Sequence, residues 1–216
     1  SECFVKMRDH LVGVFIKLIA GAISFENSTR LDCNATGMNN QYLVDFRTVE
    51  DVSDWMEKSD TVRVPGKSKA VMTLQKSHLF QRAIFFSLLN PQDNGAAFAG
   101  VKKHFDDLNL CSFSNIIMKV RGQGNTRYKV VLIDEYAESS GETFEFYFQV
   151  SSPDFEEVKI PLSEFVLYHW GKPVNDSVPL NKAKIRSFGI QIYGGVYNEV
   201  KQRGPSSLEI DYIKLE

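Results

Sequence analysis

The stretch TFEFYFQV, residues 143–150, alternates apolar and polar side chains with a period of two. Three phenylalanines and a valine fall on one face, and a threonine, a glutamate, a tyrosine and a glutamine fall on the other. Successive side chains of a β-strand point to opposite faces of its sheet. The stretch therefore predicts a strand with one buried face.

Similar short apolar runs lie on both sides of this stretch. The other predicted strands are QYLVDF, AVMTLQ, LFQRAIFFSLL, NIIMKVRG, RYKVVLI, EVKIPL, IRSFGIQIY and SLEIDYIKL. The segments between them, NPQDNG, DEYAESSGE, SSPDFE and KQRGPSS, are rich in turn residues and predict turns or loops. This pattern predicts an all-β antiparallel β-sandwich or jelly roll.

Helical patterns are few. Residues 49–58, VEDVSDWMEK, predict a short helix with Thr48 as its cap and Trp55 packed on the sheet. Residues 163–165 predict one helical turn after Pro161. Residues 1–40 are predicted to be an N-terminal extension, and residues 41–216 one domain.

The stretch RGQGNTRY, residues 121–128, raises the question of a phosphate-binding loop. Such a loop opens a helix, whose first N–H groups face the anion. Here a strand-like run follows instead, and there is neither a third glycine nor a Lys-Ser/Thr pair. We therefore predict a turn between two strands, in which Gly122 and Gly124 supply backbone freedom.

The bulk composition excludes some classes of function. Among 216 residues, Lys and Arg number 25 and Asp and Glu number 27, so no basic footprint of nucleic-acid binding is present. The 43% of apolar residues allow a sizeable core. No apolar stretch is long enough to span a bilayer, and we predict no nucleic-acid partner and no transmembrane span.

The N-terminal segment leaves the compartment open. Residues 7–22, MRDHLVGVFIKLIAGA, have the order of a secretory signal peptide, although Lys17 interrupts the apolar part. The alternative is a short amphipathic helix or a leader. Asn27, Asn34 and Asn175 begin N-glycosylation patterns.

The cysteines leave two alternatives open. Cleavage after Ala22 would remove Cys3 and leave Cys33 and Cys111, which either pair in an oxidising compartment or remain two buried thiols. The plainer interpretation is two thiols. With no Cys-x-x-Cys or Cys/His cluster, no structural zinc is predicted.

Catalytic chemistry has little support in the sequence. Glu209 and Asp211 fall on one strand face, but spacing alone does not establish the geometry of a glycosidase pair. No serine or cysteine carries a nucleophile motif. We predict no enzyme, no catalytic residue and no cofactor.

Aromatic side chains form the best candidate surface. Tyr168 and Trp170 lie in one loop-like stretch, and Tyr193 and Tyr197 lie in another. These rings either cover the end of the sandwich, stack on a sugar or contact a protein partner. Arg121 and Arg127 are predicted to be structural and to pair with Asp134 or Glu135 across the sheet.

Seven motifs in order resemble the complex I intermediate-associated protein 30 domain family. They are VSDWMEKSD (52–60), PGKSKA (65–70), GAAFAG (95–100), IIMKVRGQGNTRY (116–128), VKIPLSEF (158–165), VPLNKAKIRSFGI (178–190) and SLEIDYI (207–213). The positions that carry the resemblance are Asp54, Trp55, Ser59, Asp60, Gly66, Ser68, Phe98, Gly100, Arg121, Gly122, Gly124, Tyr128, Pro161, Phe165, Gly189, Glu209 and Asp211. The sequence departs from the family pattern at Pro65, Gln123 and Phe155.

The resemblance implies a β-sandwich of the galactose-binding-like type and a noncatalytic, chaperone-like role without a cofactor. The family's best-known member is a mitochondrial factor that helps to assemble respiratory complex I. The implied partners are therefore complex I subunits or assembly intermediates, and the implied compartment is the mitochondrion. The alternative is a secreted carbohydrate-binding β-sandwich with a glycan ligand, which the N-terminal segment favours.

Overall fold

The computed structural model describes residues 41–175 and 178–216, all of which fall within one compact unit. They form two antiparallel sheets around a shared apolar core, so the predicted all-β sandwich is confirmed. The predicted extension, residues 1–40, lies outside the described residues.

Thirteen strands and one short helix are described. In chain order they are β1 (Gln41–Asp45), β2 (Trp55–Glu57), β3 (Lys69–Lys76), β4 (Gln81–Leu89), β5 (Phe98–Leu108), β6 (Asn115–Gln123), β7 (Arg127–Asp134), α1 (Glu135–Ser140), β8 (Thr143–Gln149), β9 (Glu156–Pro161), β10 (Val166–His169), β11 (Lys172–Pro173), β12 (Ile185–Tyr193) and β13 (Gly204–Leu215). One sheet has six strands in the order β3-β4-β13-β6-β9, with β1 also paired to β13. The other has seven strands in the order β11-β10-β8-β7-β12-β5-β2.

The stretch at residues 143–150 forms β8 in the seven-stranded sheet, as predicted. Phe144 and Phe148 are buried in the core, and Phe146 packs against it. The polar face of β8 points away from the core, to the outer face of this sheet. The same alternation along β7 and β12 gives the core its fully buried aromatic and branched side chains.

The stretch at residues 121–128 connects two strands, as predicted, but it crosses from one sheet to the other. β6 ends at Gln123 in the six-stranded sheet, and β7 begins at Arg127 in the seven-stranded sheet. Gly124 has φ +89°, and a Cβ there would lie 2.8 Å from the Pro205 carbonyl oxygen. Glycine is therefore required at this crossing.

The predicted helix at residues 49–58 is wrong. Residues 55–57 form β2, which pairs with β5 at the edge of the seven-stranded sheet. Trp55 is buried, with its ring centroid 5.8 Å from that of Phe46 and 6.1 Å from that of Phe188. Edge pairing and burial of this large ring outweigh the local helical propensity.

Two other local predictions had different outcomes. The predicted loop DEYAESSGE contains helix α1, because the Asp134 carboxylate accepts a hydrogen bond from the Ala137 N–H (2.8 Å) and caps its start. The αL residue Gly141 ends this helix. The helical turn predicted near residues 163–165 is confirmed as a 3₁₀ turn at Leu162–Glu164.

The sequence patterns missed β2, β5, β10 and β11. The longest of these, β5, carries the polar run VKKHFDD, which hides its alternation. Its core face uses the small side chains of Ala99 and Val101. The neighbouring strands β12 and β2 supply the pairing that makes it a strand.

Cys111 is disulfide-bonded, so its interpretation as a buried thiol is wrong. Cys3 and Cys33 lie outside the described residues, and the pairing with Cys33 stays a prediction. Asn27 and Asn34 also lie outside them, and Asn175 lies at the edge of the gap at residues 176–177. No helix in the described ranges is long and apolar enough to cross a membrane.

Candidate functional site

Three strands of the seven-stranded sheet place tyrosines on its outer face. They are Tyr147 on β8, Tyr168 on β10 and Tyr193 on β12. The Tyr147 ring lies 5.6 Å from the Tyr168 ring and 5.0 Å from the Tyr193 ring, in tilted and edge-to-face arrangements. Such geometries are favourable for aromatic pairs. The three rings therefore form one continuous aromatic surface.

These rings line a cavity of about 700 Å³, which we call the tyrosine cavity. Its lining residues are Arg127, Tyr147, Tyr168, Gly171, Lys172, Pro173, Tyr193, Gly195, Val196, Tyr197, Asn198, Glu199 and Val200. Apolar ring faces stand beside amide, guanidinium and carboxylate groups, which is the mixture that ligand sites use to fix orientation.

A buried ion pair holds Tyr147 in place. Lys129 Nζ donates to Glu145 Oε1 (2.6 Å), and the Tyr147 hydroxyl donates to Glu145 Oε2 (2.6 Å). Thr143 Oγ1 also donates to Oε1 (3.0 Å). The side chains of Lys129 and Glu145 are only 9% and 5% exposed. The carboxylate thus accepts hydrogen bonds through both oxygens and fixes the Tyr147 ring.

Burial raises the pKa of each of these three tyrosine hydroxyls. For Tyr147 the negative charge of Glu145 adds to the effect of burial. For Tyr168 and Tyr193 burial is also the largest cause. All three hydroxyls are therefore neutral hydrogen-bonding groups at neutral pH.

The structure separates the four aromatic residues that the sequence singled out. Tyr168, Tyr193 and Tyr197 line the tyrosine cavity, and Tyr197 is 60% exposed there. Trp170 does not line it. Trp170 is 73% exposed, stacks on His169 with ring centroids 5.7 Å apart, and has the Arg63 guanidinium 5.0 Å from its ring.

The stretch that precedes Gly171 is a strand end and not a loop. β10 runs to His169, and Trp170 (φ +53°) and Gly171 (φ +77°) form the turn into β11. This turn directs Trp170 away from the tyrosine cavity. Whether these aromatic side chains bind a ligand or a partner stays a prediction.

A second cavity of about 260 Å³ lies on the same outer face, and we call it the basic cavity. Its lining residues are Lys58, Lys102, His104, Val131, Ile133, Ala137, Glu138, Gly141, Glu142, Thr143, Ser187, Gly189 and Gln191. Gly189 lies on its floor, where a Cβ would be 3.1 Å from the Val101 carbonyl oxygen. Gly189 is one of the positions that carry the family resemblance.

The outer face of the six-stranded sheet carries a more apolar groove of about 680 Å³. Val71, Phe86 and Leu88 are each about half exposed there, and Pro205 borders them. We call it the apolar groove. Among residues 41–175 and 178–216, Lys69 is the one titratable side chain that lines it, and Lys69 Nζ is paired with Glu57 (2.9 Å).

Sequence patterns missed several residues of the two cavities on the seven-stranded sheet. Tyr147 was visible only as the aromatic member of the polar face of residues 143–150. Lys58, Lys102 and Gln191 gave no signal, because they come together only through the pairing of β5 with β12 on one side and with β2 on the other. The one pattern that could have indicated the tyrosine cavity was a tyrosine, Tyr147, among the polar residues of an alternating strand.

Several family-motif positions have structural roles. Asp60 is buried and accepts hydrogen bonds from the Ser68 N–H (2.8 Å) and the Ser68 hydroxyl (2.7 Å). A Cβ on Gly66 would lie 2.0 Å from the Asp60 carbonyl oxygen, and one on Gly100 would lie 2.2 Å from Gln191 Cγ. These contacts fix the segment between β2 and β3 and the close approach of β5 to β12.

The other motif positions are distributed over both sheets. Asp54 pairs with Lys103, and Ser59 is buried. Phe98 lies opposite Tyr193, and Gly122 approaches Val150. Trp55, Tyr128 and Phe165 are buried, and Pro161 ends β9.

The candidate acid pair is held by arginines. Glu209 accepts hydrogen bonds from Arg82 Nη1 (2.8 Å) and from both Nε (3.0 Å) and Nη2 (2.7 Å) of Arg121. Asp211 lies 3.4 Å from Arg82 Nε. Phe155 stacks on both guanidiniums. The predicted pairing of Arg121 with Asp134 or Glu135 is therefore wrong, because Arg121 lies in the other sheet.

The predicted partner of Arg127 is also not found. Its backbone N–H donates to Gln202 Oε1 (2.9 Å), and its side chain lines the tyrosine cavity. Asp134 instead accepts from the N–H groups of Ala137 and Asn181. Within the described ranges no three His, Cys, Asp or Glu side chains form a group that could hold a metal.

Replacing Glu209 with alanine tests the structural role of this carboxylate. Because two guanidiniums would remain partly buried without their acceptor, we expect the free energy of unfolding to fall by about 2 kcal/mol. Urea denaturation measures it. Glu216→Ala, which removes an exposed partner of Lys159, is the control and should cost less than about 1 kcal/mol. Equal effects of the two substitutions would contradict this role.

The buried hydroxyl of Tyr128 predicts a loss of stability at high pH. Burial raises the pKa of Tyr128 from 10.0 to about 12. The contribution of the neutral Tyr128 hydroxyl to stability is therefore complete below pH 10 and is lost as the pH rises towards 12, because in that range this hydroxyl ionises only in the unfolded chain. A two-unit difference is worth about 3 kcal/mol. Between pH 10 and pH 12, the free energy of unfolding should therefore fall more in the unchanged protein than in Tyr128→Phe, and the two decreases should differ by about 3 kcal/mol. Equal decreases in the two proteins would contradict this prediction.

Comparisons with known proteins agree with this fold. The family described as complex I intermediate-associated protein 30 matches residues 44–210. The Mus musculus protein named "Complex I intermediate-associated protein 30, mitochondrial" is 26% identical over 187 residues, which is 78% of this chain and 53% of the relative. The chain thus spans about half the length of that relative.

Solved structures with a similar fold include carbohydrate-binding modules and agarases. The family 11 carbohydrate-binding module of Clostridium thermocellum, in complex with a β-1,3-1,4-mixed-linked tetrasaccharide, has a TM-score of 0.62 and 17% identity, over 83% of this chain and 96% of the module. An agarase has a TM-score of 0.53 and 9% identity, over 83% of this chain and 24% of the agarase. At these identities the likeness shows the fold alone.

Proposed function

This chain belongs to the complex I intermediate-associated protein 30 family, and on that premise we propose that it is a noncatalytic, chaperone-like module that docks on protein partners. By its relationship to the mitochondrial mouse protein, the proposed partners are subunits or assembly intermediates of respiratory complex I. The mitochondrion is the corresponding compartment. The docking surface is the outer face of the seven-stranded sheet.

The tyrosine cavity is the observation that supports this surface. Tyrosine is enriched among the residues that dominate binding energy, and such residues lie in pockets whose walls are already packed. Here Glu145 and the neighbouring rings hold Tyr147 before any partner arrives. Little side-chain entropy would therefore be lost on docking.

A noncatalytic role agrees with the hydrogen bonds that the carboxylates of Glu209 and Glu145 accept. Glu209 is held by two arginines, and Glu145 accepts hydrogen bonds from three side chains. Both oxygens of each carboxylate accept hydrogen bonds from side chains of the fold. Most glycoside hydrolases instead use two carboxyl groups that flank the scissile bond.

Co-purification with tagged protein tests the docking proposal. In cells that express the chain, respiratory subunits should be recovered with the unchanged protein and be reduced roughly tenfold or more by Tyr193→Ala with Tyr197→Ala. The control is Tyr212→Ala, on the six-stranded sheet. Equal recovery of the subunits with all three proteins would contradict this assignment. So would a loss of recovery caused by Val71→Asp in the apolar groove.

A second candidate is a secreted carbohydrate-binding module. The tyrosine cavity favours it too, because ring faces beside polar side chains suit the apolar and hydroxyl faces of a sugar. The disulfide at Cys111 agrees with an oxidising compartment. N-terminal sequencing of the mature protein separates the two candidates. A start at Ile23 with glycans on Asn27 or Asn34 would favour secretion and end the assembly proposal for this chain.

A further inference from the structure

The turn between β10 and β11 carries a bulky residue where a small one is preferred. Its two central residues are Trp170 (φ +53°) and Gly171 (φ +77°), between the paired residues His169 and Lys172. Among residues 41–175 and 178–216, Trp170 is the one non-glycine residue with positive φ. Two-residue turns of this kind favour Asn-Gly, because asparagine tolerates positive φ and a bulky side chain does not. Trp170 therefore makes this hairpin less stable than asparagine would.

Packing inside the domain does not offset this cost. The Trp170 side chain is 73% exposed and does not belong to the core. Its ring lies against the His169 ring, with centroids 5.7 Å apart, and against the Arg63 guanidinium at 5.0 Å. Both of these residues are themselves exposed. Strained backbone clusters at functional sites, so Trp170 is a candidate for contact with another molecule.

The contact with Arg63 joins this turn to a second exposed loop, residues 61–65. Val62 and Val64 flank Arg63 in sequence and are 61% and 103% exposed. Val64 is thus as open to water as in an isolated peptide. We call Val62, Arg63, Val64 and Trp170 the loop-tip patch. None of these four residues lines one of the three cavities described above. Grouped exposed apolar side chains mark sites of contact with proteins or membranes.

Cations without an ionic partner accompany the loop-tip patch. Arg63 and Lys67 are exposed, and within the described ranges neither forms an ion pair. The acid in the same segment, Asp60, is buried, and its two carboxylate oxygens accept hydrogen bonds from Ser68 (2.8 and 2.7 Å). The solvent-facing charge of this loop is therefore positive.

The acids of neighbouring elements do not cancel this charge. Glu57 is paired with Lys69 Nζ (2.9 Å). Glu142 lies beside the turn, with its carboxylate 3.7 Å from His169 Nδ1, and its side chain is only 13% exposed. The single charge of Glu142 is outnumbered by the two exposed cations of residues 61–67. An anionic surface is therefore attracted to the loop-tip patch.

A lipid bilayer fits this combination of side chains better than a folded partner does. Tryptophan is enriched at the membrane–water interface, because its ring is apolar and its N–H is polar. Lysine and arginine beside it keep their stems among apolar groups while their charges meet lipid phosphates. An anchor residue of a protein contact is instead surrounded by packed contacts that exclude water, and Trp170 has no such surroundings.

From these observations we infer that the loop-tip patch attaches the domain to the surface of an anionic lipid bilayer. Trp170, Val62 and Val64 enter the headgroup region of one leaflet, and Arg63 and Lys67 bind lipid phosphates. This inference goes beyond the proposed function and does not rest on it, because none of these residues lines the tyrosine cavity.

Sedimentation with lipid vesicles tests this attachment. We expect the full chain to sediment with vesicles of equal parts phosphatidylcholine and phosphatidylserine at low ionic strength. It should sediment less with phosphatidylcholine alone and less as salt is added. Lipids brominated on their acyl chains should quench the fluorescence of Trp170. Trp55, the other tryptophan of the chain, is buried in the core and should not respond.

Four variants locate the contact. Trp170→Asn should lower the partition coefficient onto anionic vesicles about tenfold or more, and its melting temperature should stay the same or rise, because Asn-Gly suits the turn. Arg63→Gln should lower the partition coefficient about fivefold. Val64→Asp should also lower it. The matched control Val71→Asp, at a half-exposed valine of the six-stranded sheet, should not.

The results separate this inference from the docking proposal. Absence of sedimentation with anionic vesicles, or sedimentation without quenching, would overturn the inference. A lower melting temperature of Trp170→Asn would also overturn it, since the fold would then require the tryptophan. Loss of respiratory subunits on Trp170→Asn without any vesicle binding would assign the turn to a protein contact instead. The docking proposal fails separately, through Tyr193→Ala with Tyr197→Ala.

Discussion

Replacing Lys129 with alanine is expected to lower the free energy of unfolding by about 3–5 kcal/mol, because the Glu145 carboxylate would remain buried without its cation. The loss should be visible as a lower midpoint of urea denaturation with an unchanged slope. Glu145→Ala should cost a similar amount, since it leaves the ammonium of Lys129 and the hydroxyl of Tyr147 without their acceptor.

A double substitution separates stability from positioning. Lys129→Met with Glu145→Leu removes both charges and keeps most of the volume, so it should restore much of the stability lost in either single variant. Tyr147 would still lack the acceptor that fixes its ring. We therefore expect the double variant to be folded but weaker in ligand or partner binding. Unimpaired binding would show that the Glu145–Tyr147 contact has no positioning role.

The second large effect is expected at Asp60, which lines neither of the two cavities of the seven-stranded sheet. Asp60→Ala should cost about 3 kcal/mol, because two donors of Ser68 would be buried without an acceptor. The Ser68 hydroxyl in turn accepts from the Asn90 N–H (3.1 Å), so the loss extends to the end of β4. Thermal and urea denaturation measure it, with Asp93→Ala in an exposed turn as the control.

Gly66→Ala provides an independent test of the same network. Its Cβ would lie 2.0 Å from the Asp60 carbonyl oxygen, and backbone would have to move. A cost of several kcal/mol is expected, as for overpacked positions. Variants at Asp60 and Gly66 that unfold like the Asp93 control would show that this motif serves binding and not the fold.

The fold was predictable where alternation is strong. Residues 143–150 and the runs that became β12 and β13 show it in the sequence, because one face of each strand is more buried than the other. The runs that became β4, β6 and β7 are instead continuous apolar stretches bounded by polar or turn residues. β5 was not predictable in this way, since Lys102, His104 and Asp106 line its outer side and Lys103 interrupts the apolar residues of the other side. This segment is a strand because it pairs with β12, which lies far from it in the sequence.

The candidate site was predictable only in part. Tyr168, Tyr193 and Tyr197 were selected as exposed aromatic residues, and the structure brings them to one cavity. Trp170 was grouped with them by proximity in sequence, but the left-handed turn after β10 directs it elsewhere. The lysines of the basic cavity come from segments 44 residues apart, and no local pattern joins them.

A photoreactive benzophenone side chain at Tyr197 gives the most direct test of the central claim that the outer face of the seven-stranded sheet is the binding surface. It reacts with protein and glycan alike, so the mass of the adduct identifies the class of ligand. We predict adducts with the group at Tyr197 and none with the group at Val71, in the apolar groove of the other sheet. Adducts at Val71 and not at Tyr197 would contradict the account.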